Sequence, residues 1–266
     1  MNRKCVYTAV TGGYDNLMQP RVINDGYDYI CFSNDITEPA VGVWHIRPIP
    51  FTSHGDNKRL AMYAKMHPHT LLEKYDFCIW VDANNLIKDD FLYKKSESLF
   101  AGGYAIGHIV HPYRDCIYKE VFDCMLYGTD SSWRLVKTLY FLLRNGYPLR
   151  AGLFENNCIF WSHHDSIVKE ALDMFWPIYM RNSRRDQLSL GYVYYKLGIH
   201  PALLLPRGEH MGNSSHIERV NHTSKDKRHK FTTRNYRINL FKIKAVRILF
   251  RLMGYDLSYQ TLYKKS

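Results

Sequence analysis

An apolar run that ends abruptly in polar residues is the feature that most constrains this chain. Residues 77–81, FCIWV, carry no formal charge, and Asp82, Ala83, Asn84 and Asn85 follow directly. A short uncharged run rich in β-branched and aromatic residues is typical of a buried strand. The polar residues therefore mark the point where the strand leaves the core, which is where a ligand would meet it.

The first 85 residues alternate between strand-like and helix-like patterns. Strands are predicted over 4–10, 27–33 and 42–50, and a helix over 56–72 before the strand at 77–81. This order predicts an α/β fold, a mostly parallel sheet flanked by helices. Ligands bind at the carboxyl ends of such strands. The segments TGGYD (11–15), SND (33–35) and DANN (82–85) are therefore expected on one edge.

The second half of the chain is less regular. A short strand is predicted over 158–161 and another over 199–206, with helices over 166–180 and 183–198. Gly198 is expected to end the second helix. A histidine-rich loop follows from residue 207.

Length and charge favour one α/β domain with a basic appendage. A chain of 266 residues with 46% hydrophobic residues suits a single α/β domain with a full core. The net charge is +11, and residues 225–266 hold 12 Lys and Arg against two acids. We therefore predict a domain over 1–224 and a basic C-terminal tail over 225–266. The nearly neutral body speaks against a nucleic-acid partner.

The six cysteines and the N-terminus indicate the compartment. No two cysteines form a C-x-x-C pair, and several lie in apolar strand-like runs. We expect reduced, buried thiols in a cytosolic protein, with no disulfide framework or zinc site. The N-terminal residues lack the apolar stretch of a signal peptide, and no run is long enough to span a membrane.

The DANN segment has the composition of a cation site. If strand geometry persists for two residues, Asp82 and Asn84 project to the same side. Carboxylate and amide oxygens suit a hard divalent cation, Mg²⁺ or Mn²⁺. The alternative is that Asp and Asn are there because both favour turns.

Other polar groups are expected near the same edge. Gly12 and Gly13 leave backbone N–H groups accessible, and Tyr14 could stack on a base. Arg59 and Lys65 on the following helix could reach a diphosphate. Each feature also has an ordinary structural explanation, as a turn or as solvated helix charges.

Two segments of the second half also concentrate polar side chains. SRRDQLSL places Asp186 and Gln187 at a predicted helix start, where Ser183 or Asp186 could simply cap the helix. GLFENN places Glu155 and two asparagines before a strand. Both could contact a hydroxylated substrate or close a loop.

Taken together, these motifs resemble a family of GT-A-like glycosyltransferases found in plant mucilage and pectin synthesis and in bacterial polysaccharide clusters. The resemblance covers roughly residues 4–195. The motifs occur here in the family's order: VYTAVTGGYDNL, YDYICFSND, GVWHIRPI, PHTLLEKYDFCIWVDANNLIK, HPYRDCIYKE and RRDQLSL.

The resemblance implies a GT-A (Rossmann-like) fold, a nucleotide-sugar donor with a UDP-sugar as first candidate, and Mn²⁺ or Mg²⁺. An Asp-x-Asp metal motif corresponds to Asp82 and Asn84, where the asparagine is a departure. The positions that bind the donor in GT-A enzymes correspond to Thr8, Thr11, Gly12, Gly13, Tyr14, Asp56 and Arg59. Lys65 is a further candidate because of its charge and its position on the predicted helix.

The resemblance also implies candidates at the reaction centre. A histidine from a C-terminal loop would complete the metal site; His210 is the first choice, with His216 and His222 as alternatives. Asp186 and Gln187 would lie near the transferred sugar. An inverting mechanism needs a general base, which Asp186 or Glu155 could supply. A retaining mechanism needs no dedicated base, and the sequence leaves the choice open.

The basic tail contains a segment, 238–255, that is predicted to form an amphipathic helix. Ile238, Phe241, Ala245, Leu249 and Leu252 share a broad apolar face. Such a helix suits an anionic membrane surface, and equally suits docking on the catalytic domain.

Three functions remain open at this stage. The first is metal-dependent transfer of a sugar to a glycan or lipid-linked glycan, such as O-antigen or capsule, by a cytoplasmic protein peripheral to the inner face of the cell membrane. The second is a non-catalytic, membrane-associated scaffold with a GT-A-like fold. The third, a nucleic-acid binder using the tail, is disfavoured by the neutral body.

Overall fold

The computed structural model describes residues 2–13, 16–220 and 233–263. Its strands are β1 (Lys4–Ala9), β2 (Tyr27–Phe32), β3 (Ala40–Val41), β4 (Trp44–Arg47), β5 (Phe77–Val81), β6 (Asn85–Ile87), β7 (Ile106–Val110), β8 (Phe154–Trp161), β9 (Ala202–Leu203) and β10 (Ile217–Arg219). Its helices are α1 (Asn57–Met66), α2 (Pro68–Leu71), α3 (Phe91–Ala101), α4 (Ile117–Tyr127), α5 (Ser132–Arg144), α6 (Ser166–Arg181), α7 (Asp186–Leu197), α8 (Thr233–Leu252) and α9 (Tyr259–Tyr263).

Eight strands form one sheet in the order β3-β4-β2-β1-β5-β8-β7-β9. β1 lies parallel to β2 and to β5, β2 lies parallel to β4, and β7 lies parallel to β9. β3 and β8 run antiparallel to their neighbours. The predicted α/β class with a mostly parallel sheet is therefore confirmed, and β1, β2 and β5 end side by side on one edge.

Helices cover both faces of this sheet. Successive side chains of a strand point to opposite faces, so neighbouring residues of β1 contact different helices. On one face, the Tyr7 hydroxyl donates a hydrogen bond of 2.7 Å to the carbonyl of Lys65 at the end of α1. On the other face, Val6 belongs to an apolar core that includes Leu92 and Leu99 of α3. All of β5 is buried, as its uncharged sequence predicts.

The helix after β4 begins where its sequence predicts, but it ends at Met66 and not at residue 72. The Asp56 side chain accepts a hydrogen bond of 3.3 Å from the backbone N–H of Arg59, so it caps α1. Pro68 interrupts the pattern, and a second short helix, α2, starts there. α1 therefore has a fixed start, next to the edge where β1 ends.

β8 differs from the prediction in length and in regularity. The sequence predicts a strand over 158–161, whereas the observed strand begins at Phe154. Its pairing with β7 shifts register between His108 and Ile109, whose partners are Ile159 and Glu155. The three residues in between are left out of the ladder with β7, which is how a bulge re-aims side chains.

The chain divides into two compact units. The first contains the described parts of Met1–Pro112, Phe154–Met174 and Ile199–Asp226 and holds every described strand. The second contains the described parts of Tyr113–Leu153, Phe175–Gly198 and Lys227–Ser266 and is helical. α6 contributes residues to both.

The second unit has its own apolar core, and the described part of the tail contributes to it. Ile243 and Phe250 of α8 are buried there together with residues of α4, α5 and α7. This division differs from the predicted boundary after residue 224. The charge pattern did not reveal that one face of the tail helix packs into a core.

All six cysteines are free and buried, as expected of reduced thiols. Burial raises the pKa of the Cys31 thiol to about 12. Within the described ranges, no helix is long and apolar enough to cross a membrane.

Candidate functional site

Asp82 stands at the end of β5 in an arrangement that fixes its carboxylate. The indole Nε1–H of Trp80 donates a hydrogen bond of 2.7 Å to Asp82 Oδ1. The Lys65 ammonium lies 3.5 Å from the same oxygen and 5.4 Å from the centre of the Trp80 ring. A side-chain donor and a buried cation thus hold the carboxylate of Asp82 in one orientation.

The chain turns immediately after Asp82. The backbone N–H of Asn85 donates a hydrogen bond of 2.8 Å to the carbonyl of Asp82, which closes a turn. The Asn84 side chain is 5% exposed, and its Nδ2 donates 2.9 Å to the carbonyl of Val220. The premise that strand geometry carries Asp82 and Asn84 out together is therefore wrong, because extended backbone ends at Val81.

Two other asparagines, Asn85 and Asn157, take part in this turn through hydrogen bonds. The backbone carbonyl of Asn157 accepts hydrogen bonds from the N–H of Asp82 at 2.9 Å and from Nδ2 of Asn85 at 3.0 Å. The side-chain Oδ1 atoms of Asn85 and Asn157 are buried and have no hydrogen-bond partner among the described residues. Buried acceptors left without donors are rare, and they mark places where a ligand or ion can supply the missing partner.

These residues fit a hard divalent cation. No group of three or more His, Cys, Asp and Glu side chains suited to a metal occurs in the part of the chain that the structure describes. Mg²⁺ and Mn²⁺ prefer oxygen ligands and retain several waters, so one carboxylate with amide oxygens is a suitable set. Asp82, Asn85 and Asn157 are the candidates for such a set, and Asn84 instead donates to the Val220 carbonyl.

The turn after β1 faces the same edge. The Thr11 hydroxyl donates a hydrogen bond of 2.9 Å to the carbonyl of Asn57 at the start of α1. The Gly12 N–H donates to the Asp35 carboxylate that follows β2. Gly12 has a φ of +68°, and a Cβ there would lie 2.2 Å from the Asn57 amide. Only glycine fits this position without a shift of Asn57.

Of the remaining donor-binding candidates, Thr8, Asp56 and Arg59 lie around this turn. Thr8 lines a narrow cleft together with Asp82 and Asn85, and its buried hydroxyl has no hydrogen-bond partner among the described residues. Asp56 caps α1 and lies 3.5 Å from the Arg59 Nε. Tyr14 lies outside the described residues.

Glu155 and His210, predicted for different roles, lie close together. Glu155 Oε2 accepts a hydrogen bond of 2.9 Å from the N–H of Met211. Burial raises the pKa of the Glu155 carboxyl above its usual value, and His210 and Arg219 oppose that shift through their charge. β10 pairs with β6 so that Arg219 lies opposite Asn85. The histidine-rich loop thus lies beside the turn that carries Asp82.

Of the two alternative histidines, only His216 lies within the described residues. His216 Nδ1 lies 2.8 Å from Asp89, and its ring stacks on Phe91 at 3.9 Å between centres. These contacts give His216 a packing role beside α3. His222 lies outside the described residues.

Asp186 and Gln187 lie in the second unit, at the start of α7, and both are buried. Asp186 Oδ1 accepts a hydrogen bond of 2.9 Å from the N–H of Gln187. Gln187 Oε1 accepts one of 2.7 Å from Arg185 Nη2, which also lies 3.0 Å from Glu120 Oε1. Burial and the charge of Asp186 raise the pKa of Tyr194 well above its usual value.

Glu120 joins two motifs that are far apart in the sequence. Arg114 donates a hydrogen bond of 2.5 Å to Glu120 Oε2 and lies 2.7 Å from Asp123. Together with the Arg185 contact, this links HPYRDCIYKE to RRDQLSL. Asp130 adds a second tie, because it accepts from the Ser183 hydroxyl at 2.8 Å and the Arg184 N–H at 2.7 Å.

Sequence reasoning missed Asn85, Asn157 and Glu120 as parts of these arrangements. The signals were present, since DANN and ENN each hold adjacent asparagines and Glu120 ends a quoted motif. Which asparagine oxygen is left without a hydrogen-bond donor depends on the turn and the bulge, and the sequence pattern does not specify either.

Two solved glycosyltransferase structures are similar to this chain. The apo structure of the bifunctional glycosyltransferase WbbM matches with a TM-score of 0.42 and 11% identity, covering 77% of this chain and 39% of that one. The apo structure of mouse xyloside xylosyltransferase 1 matches with a TM-score of 0.42 and 10% identity, covering 76% and 83%. No family model and no curated protein matches the chain.

Proposed function

We propose that this protein is a glycosyltransferase that moves a sugar from a nucleotide-sugar donor, first of all a UDP-sugar, with the help of Mn²⁺ or Mg²⁺. The observation that carries the proposal is the arrangement at the end of β5. There, the oriented carboxylate of Asp82 lines one cleft with Asn85, and the side-chain oxygens of Asn85 and of Asn157, whose backbone carbonyl accepts hydrogen bonds from both residues, have no partner among the described residues. A glycine turn and a basic helix lie at the same sheet edge.

The cation would be held by Asp82 and by the amide oxygens of Asn85 and Asn157, with His210 as a further candidate ligand. When bound, it would supply positive charge that stabilises the diphosphate leaving group. The buried ammonium of Lys65, 3.5 Å from Asp82, adds fixed positive charge to the same place. A site that already contains a protein cation favours an anionic ligand such as a diphosphate.

The donor nucleotide would lie along the turn after β1. The backbone N–H of Gly13 is suited to a phosphate or base oxygen, whereas the N–H of Gly12 donates to the Asp35 carboxylate and would need that side chain to move aside. Thr8 and Arg59 offer further hydrogen-bond donors around this turn, while the Thr11 hydroxyl, which donates to the Asn57 carbonyl, offers only an acceptor oxygen. The capping interaction with Asp56 places Arg59 at the first turn of α1.

In the reaction, an acceptor hydroxyl oxygen forms a bond to the anomeric carbon while the bond from that carbon to the diphosphate oxygen breaks. The electron pair of the broken bond leaves with the nucleoside diphosphate. In an inverting reaction the hydroxyl proton passes to a base, and Glu155 or Asp186 is the candidate. In a retaining reaction the departing diphosphate takes the proton. Gln187 would contact the transferred sugar.

We place the acceptor on a lipid carrier, as a glycan of a surface polysaccharide such as O-antigen or capsule, at the inner face of the cell membrane. The family resemblance over residues 4–195 supports a polysaccharide acceptor. The strongly basic tail supports a position at an anionic surface.

A panel of nucleotide sugars tests this function. The protein is titrated calorimetrically with each donor in Mn²⁺, in Mg²⁺ and in chelator, and release of nucleotide is followed with the donors that bind. We expect saturable binding of at least one donor that requires the cation, and slow nucleotide release. Saturable binding without any release, even with glycan acceptors present, would favour the non-catalytic scaffold. If no donor binds, the proposed function is wrong.

A further inference from the structure

α8 carries two separate apolar faces. One faces inward, where Ile243 and Phe250 are buried and Val246 packs against the same core. Arg247 lies beside this face, with its guanidinium 4.7 Å from the centre of the Phe122 ring. An ordinary surface helix has one such face and a polar remainder.

The second face points to solvent. At 100° per residue, its side chains fall within an arc of about 100° on the side opposite Ile243 and Phe250. They are exposed, with Phe241 73%, Ile248 62% and Leu252 82% accessible. We call this face the outer stripe, and it consists of Ile238, Phe241, Ala245, Ile248, Leu249 and Leu252.

Basic residues border the outer stripe. On the same helical projection, Arg237, Lys244 and Arg251 adjoin the edge of the stripe formed by Ile248, and Lys242 lies beyond the other edge. α8 contains no acidic residue. An exposed apolar surface with a positive border is suited to a partner that is apolar inside and anionic at its surface.

We infer that the outer stripe is a docking surface for an anionic lipid bilayer, with the apolar side chains at the level of the upper acyl chains and the basic border among the headgroups. A second copy of the chain is a poorer partner, because a symmetric contact would bring two basic borders together. The inference deepens the proposed function, since a lipid-linked acceptor would be met at this surface. Membrane binding itself requires no donor and no acceptor.

Two variants separate the apolar and charged contributions. The stripe variant carries Phe241→Gln, Ile248→Gln and Leu252→Gln, which keep good helix formers and leave the inward face unchanged. The border variant carries Arg237→Gln, Lys244→Gln and Arg251→Gln. The matched control is Trp133→Gln, which removes a side chain that is 75% exposed from α5, a different helix of the same unit.

The full-length proteins are sedimented with vesicles of phosphatidylcholine, alone or mixed with phosphatidylglycerol, and circular dichroism confirms that each variant is folded. We expect the wild type and the Trp133→Gln control to bind the mixed vesicles, less so with added salt. We expect the stripe variant to bind at least about tenfold more weakly and the border variant to lose its preference for anionic lipid.

Three outcomes would overturn the inference. In the first, the wild type does not bind the mixed vesicles. In the second, the Trp133→Gln control loses as much vesicle binding as the stripe variant. Alternatively, the stripe variant would bind vesicles normally while changing the oligomeric state in size-exclusion chromatography, which would make the stripe a contact between copies. Nucleotide-sugar titration of the stripe variant keeps the two proposals separate, because donor binding is expected to be unchanged.

Discussion

Single residues decide what the edge of the sheet can bind. Asp82 receives an indole N–H and a lysine ammonium on one oxygen, and two neighbouring amide oxygens are buried without partners. Leaving a buried polar group unsatisfied costs about 1–3 kcal/mol of stability. The site therefore retains unfavourable groups that a bound cation would satisfy, which is the usual signature of binding residues.

Asn84 illustrates how a single contact changes a prediction. From the sequence, Asn84→Asp should retain or strengthen cation binding, because it restores a second carboxylate. In the structure, the buried Nδ2 donates to the Val220 carbonyl, and aspartate has no such donor. We expect Asn84→Asp to lower the free energy of unfolding by about 1–3 kcal/mol in urea denaturation.

The control for this variant is Asn24→Asp. Asn24 uses its side-chain oxygen, which accepts a hydrogen bond of 2.9 Å from the Gly26 N–H. Aspartate retains that acceptor, so its effect should stay within about 0.5 kcal/mol. An Asn84→Asp protein as stable as wild type, with tighter Mn²⁺ binding, would restore the original interpretation.

The buried carboxyl group of Glu155 should make the stability of the folded protein depend on pH. Burial raises its pKa in the folded state above the usual 4.5. The folded state therefore binds the proton more tightly than the unfolded state, so this group stabilises at low pH and loses that contribution as pH rises through the raised pKa. Glu155→Gln is permanently neutral and avoids the loss.

We expect the Tm of Glu155→Gln, relative to wild type, to be higher at pH 7 than at pH 4. The comparison is made by differential scanning calorimetry at both pH values. Glu38→Gln, an exposed carboxylate of the same unit, is the control and should show no such trend. A parallel pH dependence in wild type and Glu155→Gln would mean that Glu155 is not held in a desolvating environment.

At the scale of elements, the sequence predicts those strands and helices whose apolar residues follow one regular spacing. Periodicity predicted β1, β2, β5 and α1 well, because each has one dominant apolar pattern. It missed α4 and α5 and the pairing of β6 with β10. That pairing joins residues more than a hundred positions apart through only three pairs. Such short, distant contacts leave no local pattern in the sequence.

The candidate site, like the fold, was predictable only in part from the sequence. The edge itself follows from parallel strands whose ends share polar residues, and Asp82 follows from the end of β5. The contacts of Asn84, Asn85 and Asn157 do not follow, because they depend on a turn after β5 and a bulge in β8. Both features depend on tertiary packing.

The buried contact between α4 and the start of α7 predicts a stability change. The Glu120 side chain is 3% exposed and meets both Arg114 and Arg185. Glu120→Ala leaves these arginines without their shared carboxylate, although Arg185 is partly exposed and can be hydrated. We expect a loss of about 2 kcal/mol in the free energy of unfolding, measured in urea.

Glu170→Ala removes an exposed glutamate from α6 and is the control, with an expected effect within about 0.5 kcal/mol. If Glu120→Ala equals that control, the arginines do not depend on Glu120. A Glu120→Ala protein that also loses turnover of bound donor, with donor affinity retained, would indicate that the contact positions Gln187 for the reaction.

For the whole molecule, the two units have different compositions and different candidate tasks. The first unit contains the sheet, the turn at residues 82–85 and the described part of the histidine-rich loop. The second is helical and holds Asp186, Gln187 and the outer stripe of α8. The charge distribution predicted a body and a tail, and the packing of α8 into the second core accounts for the different division.

The most direct test of the central claim compares the two ends of β5. With a donor identified by the panel, wild type, Asp82→Ala and Asp76→Ala are titrated calorimetrically in Mn²⁺. Asp76 precedes the strand and accepts the N–H of Arg3 at the opposite end, so it matches Asp82 in residue type and strand. We predict that Asp82→Ala loses cation-dependent donor binding and remains folded, while Asp76→Ala binds as wild type does. Unchanged cation-dependent binding by folded Asp82→Ala would contradict a donor site at this edge of the sheet.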